Sequence, residues 1–260
     1  KLIILDMSGN PLSRDNSYRI YTLYVLKKLK VLDGNTIEGF EQQQAREHFT
    51  GRLTEEILRE KLDGRRAEDI TELDLSNCRL KDFEEMFNHR VFPHLSELVL
   101  SGNEFTSVKM LGYLPCLKIL ILQANRIESL YYNTDPGIQK GLNGCQNLDI
   151  IDLGKNCLKD FNGLQFCKLG ELKILKAYQN EITKIDNLDN LKQLKELDVN
   201  HNKIKQFDVN SFEARNPIKC LKIDDNGLKN FNNIQKLVRL QHLFANSNRI
   251  NEFHDVDRLC

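Results

Sequence analysis

Residues 172–182 read Leu172-Lys173-Ile174-Leu175-Lys176-Ala177-Tyr178-Gln179-Asn180-Glu181-Ile182. Residues 194–204 read Leu194-Lys195-Glu196-Leu197-Asp198-Val199-Asn200-His201-Asn202-Lys203-Ile204. The two stretches share apolar residues at positions one, four, six and eleven, and Asn at position nine. Working upstream, the pattern returns at 148–158, 117–127, 95–105 and 70–80, where Cys78 stands in for Asn. Working downstream, it returns at 218–228 and 240–250, and a further copy lies at 2–12. That makes nine copies, eight of them consecutive, which leaves little room for chance. A period of 20–30 residues marks a stack of units, none of which can bury its apolar face alone.

The pattern resembles the leucine-rich repeat. It implies an α/β leucine-rich repeat solenoid, with a curved parallel sheet on the concave face and short helical or irregular convex segments. The ninth position has a physical reason. The chain turns sharply after each strand and leaves interior backbone groups without partners. A buried Asn both donates and accepts, so stacked copies form a ladder. From Cys78 onward the ladder positions are separated by 25, 22, 31, 24, 22, 24 and 22 residues. The 22-residue units resemble the short subclass typified by the regulatory subunit of protein phosphatase 1. The 31-residue interval holds an insertion near 131–137, expected as a surface loop.

The array is interrupted between residues 13 and 69. Tyr18-Arg19, then Leu29-x-x-Leu32-Asp33-Gly34, resembles the C-terminal cap of cytoplasmic leucine-rich repeat proteins. Such a cap covers the apolar end face and free strand edge that a last repeat exposes. Glu38 to Phe49 is rich in helix formers, Gly51 breaks it, and Thr54 is placed to cap a second helix with acids in its first turn. The expected organisation is therefore the last repeat and cap of one array at 1–37, a helical linker at 38–69, and a second array of about eight repeats at 70–260. A continuous stack with a helical insertion is the rival arrangement. A start at Lys1, inside a repeat, implies a piece of a longer chain.

Composition narrows the function. Lys+Arg and Asp+Glu both number 37, so the net charge is zero, unlike a general nucleic-acid or membrane-surface binder. The mean hydropathy of −0.46 fits an elongated body with a thin core. No apolar run is long enough for a transmembrane helix. Residues 1–6 lack the features of a signal peptide. The seven cysteines are irregularly spaced, without Cys-x-x-Cys, and no Asn-x-Ser/Thr sequon occurs, which favours a reducing, cytoplasmic or nuclear setting. No phosphate loop, nucleophile elbow or metal-ligand spacing is present, so no catalytic, cofactor or metal residues are assigned.

Side chains alternate along a strand, so positions three, five and seven of each repeat face the concave side. There the middle repeats are unusually apolar: Val99, Ile119, Ile121, Ile150, Ile174 and Tyr178. Acids border them, among them Asp152, Glu196 and Asp198, and Phe244 lies on the last repeat. With strands ~4.8 Å apart, four strands would gather the apolar group into a patch roughly 15 Å across. These ten residues are the expected partner-binding set, suited to a protein segment such as an amphipathic helix with basic flanks. The acids disfavour nucleic acid.

A more specific likeness rests on Leu2-Ile3-Ile4-Leu5-Asp6-Met7-Ser8-Gly9-Asn10, the Tyr18-Arg19 and Leu32-Asp33-Gly34 cap, Gly51-Arg52-Leu53-Thr54, and the resumed array. In that order they resemble the C-terminal part of the leucine-rich repeat-containing protein 9 family. The resemblance implies a large, non-enzymatic scaffold of ciliated organisms, in the cytoplasm at the cilium or axoneme, with other axonemal or cytoskeletal proteins as partners. The alternative is a regulatory subunit that docks on an enzyme such as a protein phosphatase.

Overall fold

The computed structural model describes residues 2–83, 87–109, 111–130, 141–164, 167–213 and 216–259. The insertion read at 131–137 lies outside the described residues. Two compact units divide the chain, Lys1–Arg52 and Leu53–Cys260.

In the first unit, strand β1 (Ile4–Leu5) is followed by helix α1 (Tyr18–Val25), strands β2 (Val31–Leu32) and β3 (Asn35–Thr36), and helix α2 (Gly39–Phe49). β1 and β2 pair in parallel, and β2 and β3 form an antiparallel hairpin. Asp33 and Gly34 both take positive φ, 51° and 74°, the conformation that a two-residue hairpin turn matches to the strand twist. The Asp33 carboxylate accepts from the Met7 backbone N–H at 2.7 Å and from the Tyr18 hydroxyl at 3.3 Å, tying turn, helix and repeat together. Arg19 grips Glu41 of α2 through two hydrogen bonds of 2.9 and 3.0 Å. Tyr18, Leu29 and Leu32 are buried as a small core. The stretch 38–69, read as a linker, supplies α2 to this unit and the next helix to the other.

The second unit opens with helix α3 (Glu55–Leu62), whose N-cap Thr54 accepts from the Ile57 N–H at 3.3 Å. Eight three-residue strands follow: β4 (Glu72–Asp74), β5 (Glu97–Val99), β6 (Ile119–Ile121), β7 (Ile150–Asp152), β8 (Ile174–Lys176), β9 (Glu196–Asp198), β10 (Cys220–Lys222) and β11 (His242–Phe244). They form one parallel sheet in sequence order. Each strand pairs with the next at the same repeat position. A short helix α4 (His254–Asp257) ends the described chain. Leu58 and Leu62 of α3 join the same apolar core as Leu73 and Leu75 at the β4 end.

The ladder is built as the chemistry demands. The residue just before each ladder position is left-handed in all eight repeats, from Asn77 and Gly102 to Asp225 and Ser247. Each ladder Asn donates to carbonyls of two repeats, one in the repeat before and two in its own, the second of these usually the longer. Asn156 donates to Leu153 O and Leu122 O, both at 3.0 Å, and accepts from the Ile127 N–H at 2.9 Å. Cys78 breaks the pattern only at the first rung. Among the described residues no earlier rung precedes it in this unit, so position 78 meets no upstream ladder N–H or carbonyl. Asn103 makes the regular contact, accepting from Leu80 N, and accepts from Cys78 N as well.

Behind the sheet, a run of buried phenylalanines fills the space that leucines alone leave. Phe83, Phe87, Phe92 and Phe105 pack as neighbours with ring centroids 4.5 to 4.8 Å apart. The thiols on this side are sealed in. Burial pushes Cys145 up to about 12 and Cys167 up to about 11. At pH 8 both are therefore expected to resist iodoacetamide in the native protein, while exposed Cys116 is alkylated, and to react only in denaturant. Peptide mapping after a short labelling pulse reads this. Equal labelling of all three would contradict the packing.

Candidate protein-binding face

Because the strands pair without a register shift, each repeat position forms a straight row across the sheet. The row at position three runs Glu72, Glu97, Ile119, Ile150, Ile174, Glu196. The row at position five runs Asp74, Val99, Ile121, Asp152, Lys176, Asp198, Lys222, Phe244. The position-four residues between them, from Leu73 to Leu221, point inward and are buried, whereas Val99, Ile119, Ile121, Ile150 and Ile174 are only half-buried. The isoleucines therefore lie on the open side of the sheet. Strand-preferring β-branched residues explain their local fit. They do not explain why five of them are contiguous and wet.

The other expected members behave differently. Tyr178 lies at the edge of the band, its ring over the turn after β7 in the preceding repeat. A methyl group at Gly154 would stand 2.4 Å from Tyr178 Cζ, so only glycine allows this contact. Burial raises the Tyr178 hydroxyl above its ordinary value, and the charges of Asp152 and Asp198 raise it further. Asp152 itself is 7 % exposed and accepts from the Gly154 N–H at 2.9 Å. Its carboxylate closes the turn after β7 and is little available to a partner. Asp74 and Asp198 close their own turns in the same way, onto Ser76 N and Asn200 N. Burial raises the Asp198 carboxyl, against the opposing pull of the Asn200 N–H and Lys222. Glu196 is bonded to Lys222 Nζ at 2.6 Å. Phe244 is exposed on β11, three strands beyond Lys176, and does not join the band.

Sequence reasoning assigned no role to Lys176 and Lys222, yet they alternate with Asp152 and Asp198 along one row. Their signal was the alternation of charge sign at position five in successive repeats. Among the described residues no group of three or more His, Cys, Asp or Glu side chains could hold a metal ion.

The model of tandem "Leucine Rich repeats (2 copies)" matches residues 171–211, which include the stretch read first above. The chain has the leucine-rich repeat fold. Its fold is shared by solved leucine-rich repeat structures. Internalin C2 of Listeria monocytogenes is 22% identical with a TM-score of 0.56, over 74% of this chain and 77% of that one. A second Listeria monocytogenes internalin, inlF, is 21% identical with a TM-score of 0.60, over 78% of this chain and 58% of that one. A leucine-rich repeat protein of Leptospira interrogans is 23% identical with a TM-score of 0.62, over 99% of this chain and 64% of that one. This leucine-rich repeat chain thus spans less than two-thirds of the length of the last two. At these identities the likeness is one of fold.

Proposed function

We propose that the protein is a non-catalytic interaction scaffold whose strand face holds another protein, within a ciliary, axonemal or other cytoskeletal assembly. The observation that carries the binding role is the apolar band. Five β-branched side chains on four neighbouring strands are half-exposed, and charged residues border them. A contiguous apolar patch with a polar rim is the usual anatomy of a protein-binding site. The net acidity of the face argues against a phosphate backbone as its occupant. The ciliary setting is supported by the order of cap, Gly51-Arg52-Leu53-Thr54 and resumed array. The 22-residue intervals favour a second reading, a subunit that docks on a phosphatase.

Ile121→Asp combined with Ile150→Asp tests the binding role. Both side chains are on the open side of the sheet, so the double variant is expected to keep the wild-type circular dichroism spectrum. Two carboxylates in an apolar contact should weaken binding by at least ~100-fold. Affinity capture from axonemal extract reads the result. Tubulin-associated or axonemal proteins recovered by the wild type and lost by the variant support the first reading. A phosphatase catalytic subunit in their place supports the second. Undiminished capture by the variant removes the strand face from the function.

A further inference from the structure

The charge on the strand face is lopsided. On the β9–β10 side, Glu196 is ion-paired with Lys222, and Asp198 is half-buried on its own turn. On the β4–β5 side, Glu72, Asp74 and Glu97 make no ion pair with any described residue. Lys61 of α3 exerts a weak attraction on Asp74 without contacting it as an ion pair. Each end of the apolar band therefore borders acids, but among the described residues only the β4–β5 end offers carboxylates, Glu72 and Glu97, held by neither an ion pair nor a turn; Asp74, though exposed, accepts from the Ser76 N–H.

The spacing of the row is equally informative. Neighbouring strands stand about 4.8 Å apart and an α-helix rises about 5.4 Å per turn. A helix laid across the strands thus meets roughly one strand per turn. Over the position-three row its successive turns would lie above Glu72, Glu97, Ile119, Ile150 and Ile174. Resting on the proposed protein-binding role of this face, we infer that its occupant is an amphipathic helix that is basic at one end only. Three successive turns present apolar residues to Ile119, Ile150 and Ile174. The next two turns, at one end only, present Lys or Arg to Glu97 and to Glu72. In sequence the partner carries apolar residues at i, i+4 and i+7 and bases one and two turns beyond one end. Symmetrically basic flanks, the expectation from sequence, are not required, because Lys222 already answers Glu196.

Synthetic helical peptides of about 21 residues test this against the full chain, by fluorescence anisotropy at low salt. One peptide has the apolar triplet followed by Lys at the two end turns. A second has Glu at those turns. Each is also made with the charged turns preceding the triplet, since the helix can lie in either direction. The better Lys peptide should bind about tenfold more tightly than either Glu peptide, and the preference should fade in 0.5 M salt. In the Glu72→Lys/Glu97→Lys variant the preference should reverse in favour of Glu. Ile119→Asp/Ile150→Asp should abolish binding of all of them. Equal affinities, failure to reverse, or no binding by any peptide to a chain with native circular dichroism overturns the helix assignment. Loss of extract capture by Ile121→Asp/Ile150→Asp would still stand in that event, so the two readings fail separately.

Discussion

Asn156→Leu lowers the unfolding free energy of the second unit by about 4 kcal/mol, in urea titration followed by circular dichroism. The Ile127 N–H is buried and loses the acceptor it has among the described residues, which costs roughly 1–3 kcal/mol by itself. The donations to Leu122 O and Leu153 O are lost as well, at about 1 kcal/mol each. Those carbonyls are not orphaned, because Asn125 still reaches Leu122 O and Asn180 still reaches Leu153 O. The control is Cys78→Ala. Position 78 serves no upstream group, so this change should cost only about 1 kcal/mol. If the two substitutions cost the same, the ladder is not what holds the repeats in register.

Phe83→Ala should destabilise the same unit by about 4 kcal/mol, the usual range for a fully buried phenylalanine truncated to a cavity. Phe83 is fully buried, and its ring touches Phe87 at 4.5 Å and Phe105 at 4.8 Å. It thereby bridges two successive repeats, and the void left behind cannot close without moving both. Phe83→Leu keeps most of the volume and should cost under ~1.5 kcal/mol. Phe253→Ala, at a side chain 95 % exposed, should be nearly silent. A loss for Phe83→Ala no larger than that for Phe253→Ala would show that the phenylalanine run does not carry the core.

These two sites were not equally legible beforehand. The role of Asn156 follows from a single position in a repeated string, because a ladder member must satisfy the same backbone groups in every copy. Phe83 also holds a repeated position, five residues after the ladder residue, where Phe161, Phe207 and Phe231 are likewise buried, but the string does not say that its ring meets Phe87 and Phe105, which three-dimensional packing decides. The strand face divides along the same line. Val99, Ile119, Ile121, Ile150 and Ile174 were found from alternation alone, because a parallel stack without register shift turns repeat position directly into a row. Asp152 was read as a partner contact by the same alternation, yet it closes the turn onto Gly154 N and lies beneath solvent reach. Alternation reports which side of a strand a residue leaves from, and not what its carboxylate then bonds to.

The sequence by itself determined the repeat unit, its strand, the ladder position and the side each strand residue faces, since these depend on local alternation and on needs that recur every 22 to 31 residues. Only the tertiary structure decided which acids remain free. Glu196 is met by a lysine 26 residues later in the chain, and Glu97 by none of the described residues. It also decided why Cys78 is tolerated and where Tyr178 lies, over a glycine in the turn of the preceding repeat. Those outcomes rest on contacts between repeats, and a contact between repeats is set by how the coils stack in space.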